Sequence, residues 1–199
     1  MTNSTRERNR RGEGGKLREE ILVAAAGLLE REGNPESVTL RAVAREVGIS
    51  APSIYGHFED REAIVFAVID AALGDLLDAL RAVDVADPIE RLRRIAHAYL
   101  AFAAGRPHRY RLLFDRLDVE HDDYPRDGAR EDTFTALSDA LQACVDAGLS
   151  TSTDTLGDAT AIWVALHGFA TLRSGIPQFP WRAEPIMLEK ILHGLGGIA

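Results

Sequence analysis

Residues 38–61, VTLRAVAREVGISAPSIYGHFEDR, constrain this chain more than any other stretch. They read as two short helices joined by a tight turn. Thr39 can cap the first, whose Leu40, Val43, Ala44 and Val47 share one face, and Gly48 closes it because glycine accepts positive φ without strain. Ser50 then caps a second helix, with Pro52 in the first turn, where no intrahelical N–H is yet needed. Helical spacing turns Ile49, Ile54 and Phe58 inward and leaves Ala51, Ser53, Tyr55, Gly56 and His57 facing out. Such a pair, with small and polar groups on its second member, is a helix-turn-helix able to enter a DNA major groove.

The rest of the chain is also helical in pattern, with no run of alternating strand residues. Before the motif, Leu17, Ile21, Ala24, Ala25, Leu28 and Leu29 recur at three- and four-residue spacing, predicting an amphipathic helix over 16–31 that Gly33-Asn34-Pro35 ends. With the following pair it makes a three-helix domain. After it, a long pattern runs from Ile64 to Leu80. This segment reads either as a plain connector or as an element that transmits movement of the body to the motif. Further helices are predicted from Pro88 to the stop at Gly105-Arg106-Pro107, over 109–114, 133–147 and 155–173, and from Pro185 onward, about nine in all. Between them, residues 115–132 carry eight acids and read as a solvated loop.

Charge first argues against a nucleic-acid partner, because the 199 residues carry a net −8. Its distribution reverses that conclusion. Residues 1–61 balance ten Lys/Arg against ten Asp/Glu, so the whole acidic excess lies downstream. Arg6, Arg8, Arg10, Arg11 and Lys16 crowd the start of the chain, in a polar, Gly-containing stretch read as a flexible basic arm, 1–15. That arm is either a solvated tail or a contact to phosphates or the minor groove. Phosphate attraction acts over about 8–10 Å, so an acidic body does not prevent a local basic face from binding DNA.

Taken together, Thr39, Ala44, Gly48, Ser50, Ile54, Tyr55, His57, Phe58 and Arg61 resemble the DNA-binding domain of the TetR family of transcriptional repressors. The resemblance covers roughly the first third of the chain. It implies an all-α protein in which a helix-turn-helix domain, 16–62, binds double-stranded operator DNA. A larger helical domain, 63–199, would dimerise and bind a small-molecule inducer. It also implies phosphate contacts at Thr39, Tyr55, His57 and Arg61, with Ser53 near phosphate or base edges. Hydroxyls at a helix start, ring donors and a permanent charge all suit an anionic oxygen. Ser50, Ala51 and Pro52 complete the candidate set, Ala51 and Pro52 as contacts to a thymine methyl, and Arg41 is a further phosphate candidate, as is Arg45. Gly56 departs from the family, where a larger side chain is common, and Arg61 stands where lysine is more usual.

In the body, Trp163, His167 and Gly168 are similar to the Trp-His-Gly helix of one group of TetR-type C-terminal domains. Trp163 and His167 share a helix face. They form either a packed tryptophan beside a satisfied core histidine or part of a ligand site. Tyr99, Phe102, Tyr110, Phe114 and Phe134 likewise read as core or as the lining of a cavity for an apolar or aromatic inducer. The helix over 155–173 is apolar nearly all round from Ala159, so both its sides need cover. The expected partner is a second copy, docked through the last two helices. A dimeric DNA-binding protein without a ligand, constitutive or architectural, is the alternative.

Other chemistry is poorly served. His108, His121, Asp122 and Asp123 lack the spacing of a zinc site, and Cys144 has no recognisable partner for nucleophilic work. No metal, cofactor or enzymatic activity is expected. The most apolar run, 159–172, is shorter than the roughly 20 residues of a membrane span. With one cysteine and no visible signal peptide, the chain is expected to be cytoplasmic, with no membrane partner.

Overall fold

The computed structural model describes residues 14–114 and 128–198. The arginine-rich stretch 1–13 and most of the acidic stretch, 115–127, lie outside the described residues. Eight α-helices follow one another: α1 Gly14–Glu32, α2 Leu40–Val47, α3 Arg61–Arg81, α4 Pro88–Gly105, α5 Pro107–Leu112, α6 Gly128–Asp146, α7 Thr155–Gly175 and α8 Glu184–Gly196. Two 3-10 helices, Pro35–Ser37 and Ala51–Gly56, flank α2. Among the described residues there is no strand, only an isolated bridge between Ser150 and Ile198.

The chain divides into two compact units. One holds the described residues up to Ala71 together with Leu112–Phe114, and the other holds Ala72–Arg111 with the helices from residue 128 onward. The division falls inside α3.

In the first unit, the head, Ile21, Ala25, Leu28 and Leu29 of α1 are buried with Val43 and Ala44 of α2, Ile54, Phe58, and Ile64, Val65 and Val68 of α3. This is the apolar face that the three- and four-residue spacing marked out. Thr39 caps α2 by accepting the Ala42 N–H at 3.1 Å. Gly48 ends the helix at φ 77°, its N–H reaching the Ala44 carbonyl at 2.9 Å. Arg18 of α1 lays its guanidinium 4.8 Å from the centre of the Phe58 ring, a cation–π contact that closes the core edge.

In the second unit, the body, α4 packs on α6, α7 and α8, and α7 packs on α6 and α8. Asp87 caps α4 ahead of Pro88, and Asp154 caps α7. The last turn of the expected acidic loop is helical instead. Residues from Gly128 belong to α6, where Asp132 pairs with Arg81 at 3.0 Å, because a carboxylate near a helix start is favoured by the helix dipole. Beyond α8, the Ser150 hydroxyl donates to the Gly196 carbonyl at 2.7 Å, tying the chain's end to the turn before α7.

Replacing Gly48 by alanine places a Cβ in the left-handed region. Urea unfolding followed by circular dichroism should show a loss of about 1–2 kcal/mol, and an unchanged midpoint would mean the turn is not held at this angle.

Candidate nucleic-acid interface and buried polar cluster

The second member of the motif is not an α-helix. Ala51–Gly56 form a 3-10 helix, in which residues three apart eclipse one another. Ser50 occupies the cap position, yet its hydroxyl bonds no backbone N–H; it meets the Ser53 hydroxyl at 2.7 Å instead. The change of period redistributes the side chains. Ala51, Ile54 and His57 fall on one ridge, with Ile54 fully buried and Ala51 and His57 half-buried. Ala51 and His57 are thus less outward than the α-helical spacing predicts. Pro52 with Tyr55, and Ser53 with Gly56, make two exposed ridges, Tyr55 being 61% exposed.

Arg61 is the largest departure from its expected placement. Its Nε donates to the Val38 carbonyl at 3.0 Å and its Nη2 to the Pro35 carbonyl at 2.8 Å. Glu36 and Glu62 lie against it at 3.3 and 3.2 Å. The side chain ties the start of α3 to the segment before α2. Sequence reasoning missed this because carbonyl acceptors 23 and 26 residues away leave no trace in local spacing.

The remaining polar candidates stand in the open. Thr39 is exposed, and because its oxygen already accepts a bond, its hydroxyl hydrogen is available to an anion. Arg41 and Arg45 lie four apart on α2, exposed and without an ion-pair partner among the described residues. Arg31, by contrast, is paired with Glu46 at 2.9 Å. Thr39, Arg41, Arg45, Ser53 and Tyr55 are therefore exposed polar groups of the head, of types that bond phosphate oxygens.

In the body, four of the seven aromatic and histidine candidates form one hydrogen-bonded chain. Tyr99 on α4 and Tyr110 on α5 are buried, their hydroxyls 2.8 Å apart, and the Tyr110 hydroxyl lies 2.9 Å from His167 Nδ1. The Trp163 indole, one turn before His167 on α7, bonds the Tyr99 hydroxyl. An indole N–H can only donate, so the Tyr99 oxygen accepts from it. One orientation uses every hydrogen: Trp163 to Tyr99, Tyr99 to Tyr110, and Tyr110 to His167. His167 is then neutral, with its proton on Nε2. The surroundings favour that state. Burial pushes the Tyr99 hydroxyl up to about 12, partly offset by its bonds to Tyr110 and Trp163. Burial raises Tyr110 further, and desolvation lowers His167.

Phe134 joins the edge of this cluster, its ring 6.3 Å from Trp163 in a T-shaped contact. Phe102 is buried but lies under the Arg106 guanidinium, 5.5 Å from it. Phe114 falls in the first unit. Among the described residues no group of three or more His, Cys, Asp or Glu could hold a metal, and Cys144 is buried as a free thiol that burial raises. None of the helices among them is long and apolar enough to cross a membrane.

Family models match both parts of the chain. Residues 21–68 match the bacterial regulatory proteins of the tetR family, and residues 92–193 match the tetracyclin repressor-like C-terminal domain. An HTH-type transcriptional regulator of Mycobacterium tuberculosis is 31% identical over 160 residues, covering 78% of this chain and 69% of that protein. The nucleoid occlusion factor SlmA of Vibrio campbellii is 32% identical over 98 residues, 48% of this chain; the chain thus spans about half, 50%, of that relative's length. The crystal structure of the TetR family transcriptional regulator PfmR from Thermus thermophilus superposes with a TM-score of 0.70 at 25% identity, covering 90% of this chain and 98% of that one.

A histidine held below its usual 6.5 binds fewer protons when folded than when unfolded. Its contribution to stability is therefore complete above pH 6.5 and is lost as pH falls through the window below it. Urea unfolding at pH 7.5 and 5.5 should show a larger loss for the native chain than for His167→Gln, which keeps an acceptor for Tyr110. Equal losses would mean that His167 titrates alike in both states.

Proposed function

Since the chain belongs to the TetR family of bacterial regulatory proteins, which are DNA-binding transcriptional regulators, we propose that it is a cytoplasmic homodimeric repressor of a palindromic operator. The observation that carries this reading is the exposed set Pro52, Ser53, Tyr55 and Gly56, anchored by the buried Ile54, with Arg41 and Arg45 open on α2. Phosphates are met by Thr39, Arg41, Arg45 and Tyr55. The 3-10 helix enters the major groove. Ser50 and His57 serve the edges of that contact, His57 through its half-buried ring.

Dimerisation is supported by an uncovered apolar stripe on α7. Leu156, Val164 and Leu172 recur at eight-residue intervals and are 66%, 58% and 50% exposed, respectively. Gly168 sits between the last two, and a Cβ built there meets nothing within 4 Å, which leaves room for close approach of another helix. Ile186 and Leu195 extend the apolar surface onto α8, which packs beside α7. A two-fold arrangement buries both copies of this stripe. Trp163, His167 and Phe134, half-buried at the edge of the Tyr99–Tyr110 pair, are the proposed contact for a small apolar or aromatic inducer. Its differential affinity for two states of the body sets how far it can release the DNA.

A second reading, a dimeric DNA-binding protein that acts without a ligand, is supported by the similarity to a nucleoid occlusion factor. It requires operator affinity indifferent to added metabolites.

Two variants test the parts separately. Val164→Glu should convert a dimer to a monomer by light scattering and weaken binding to a palindromic duplex at least tenfold. Tyr55→Ala should stay dimeric and weaken the same binding by at least tenfold. A Val164→Glu protein that remains dimeric with unaltered affinity would contradict the proposed interface, and unaltered binding by Tyr55→Ala would remove it from the DNA contact.

A further inference from the structure

We infer that the head discriminates among DNA sequences chiefly through apolar contact with thymine C5-methyl groups, made by the Pro52–Tyr55 ridge, and not through hydrogen bonds to guanine. The inference rests on the DNA-binding reading above and concerns how that surface chooses its site. Guanine is distinguished in the major groove by paired acceptors, N7 and O6, which Arg or Lys meets with two donors; adenine is met by Asn or Gln, and cytosine by a carboxylate. From Ser50 to Phe58 the chain has none of these residues. The groups present offer single hydrogen bonds and no two-donor fork: His57 is half-buried behind the exposed ridges, and the Tyr55 hydroxyl is one group at the end of its ring. The Ser50 and Ser53 hydroxyls occupy one another at 2.7 Å, and a serine hydroxyl satisfies donor or acceptor alike, so it carries little sequence information.

What remains outward is apolar or absent. The 3-10 period places the exposed Pro52 and Tyr55 on one ridge. The neighbouring ridge ends in Gly56, where a Cβ would meet nothing within 4 Å and no positive φ demands glycine. The bare position therefore reflects neither crowding nor backbone strain. It lets the backbone approach the groove floor and brings the Pro52–Tyr55 ridge within reach of methyl groups. The Tyr55 hydroxyl, at the end of the same side chain, is free to meet a phosphate while its ring edge covers a methyl. Arg41 and Arg45, exposed and without an ion-pair partner among the described residues, lie on α2 and suit phosphates in this arrangement.

Base analogues test this on the unaltered protein. From a random duplex pool the full chain would be allowed to select its tightest site, and that site would then be resynthesised in two forms. In one, uracil replaces every thymine, removing only the methyl groups; in the other, 7-deazaguanine replaces every guanine, removing N7 as an acceptor. Burial of one methyl corresponds to about a threefold to fourfold change in affinity, so a site with one such contact per half should bind about tenfold more weakly in the uracil form. The 7-deazaguanine form should bind within twofold of the parent. A tenfold loss with 7-deazaguanine, with or without a loss on uracil, would overturn the inference and point to Arg41 or Arg45 as guanine readers. Insensitivity to both analogues would overturn it too, leaving DNA shape as the discriminator. Selection of no sequence at all would instead remove the DNA-binding reading itself.

Discussion

The head depends on one side chain being spent inward. Arg61 begins α3, and its guanidinium reaches back to the carbonyls of Pro35 and Val38, the last residues before α2 is capped. The Pro35 carbonyl already accepts the Val38 N–H at 3.0 Å within the 3-10 turn, and Arg61 adds a charged donor to it and to the Val38 carbonyl. A charged donor at such a site contributes roughly 1.5–3 kcal/mol. More to the point, it fixes three elements at once: the 3-10 turn Pro35–Ser37, the start of α2 and the start of α3. The reading segment Ala51–Gly56 hangs between the last two. Lysine at position 61, with a single ammonium, could not span both carbonyls in the same fork.

The body is organised by a different necessity. Four polar groups from three helices meet among apolar side chains; the buried Tyr99 and Tyr110 hydroxyls need partners there, and the half-buried Trp163 and His167 supply them. The donor-only indole of Trp163 sets the direction of the chain, and desolvation favours the neutral form of His167, its last acceptor. Any molecule that displaces one member exposes the others unsatisfied. A ligand entering here must therefore either leave the hydrogen-bonded chain whole or substitute for the group it displaces, which restricts it to a mostly apolar shape with well-placed polar atoms.

Much of this was legible from residues alone, where the cause is local. The αL turn at Gly48, the Thr39 cap, the amphipathic face of α1 and the proline start of α4 each follow from one residue's stereochemistry, and the structure has them at those positions. What was not legible depends on distant partners or on a fine choice of period. A six-residue segment with proline near its start satisfies α and 3-10 geometry equally well in sequence, yet the two place Ala51 and His57 on different sides. The bonds of Arg61 were hidden because its acceptors lie in another turn of the chain. Tyr99, Tyr110, Trp163 and His167 could be picked out as a group, whereas Phe102 could not be separated from it, since aromatic residues at helical spacing look the same whether they pack or line a site.

An acidic chain that reads DNA is reconciled by geometry: the open cations sit on α2, and the acidic excess lies downstream of the head. The claim on which everything else turns is that two heads engage one duplex through two-fold symmetry. Hydroxyl-radical footprinting of the full chain on its preferred duplex measures this directly. Two symmetry-related patches of protected sugars, centred about 34–36 Å apart or somewhat more, are expected. A single patch, or protection without a centre of symmetry, would contradict the account.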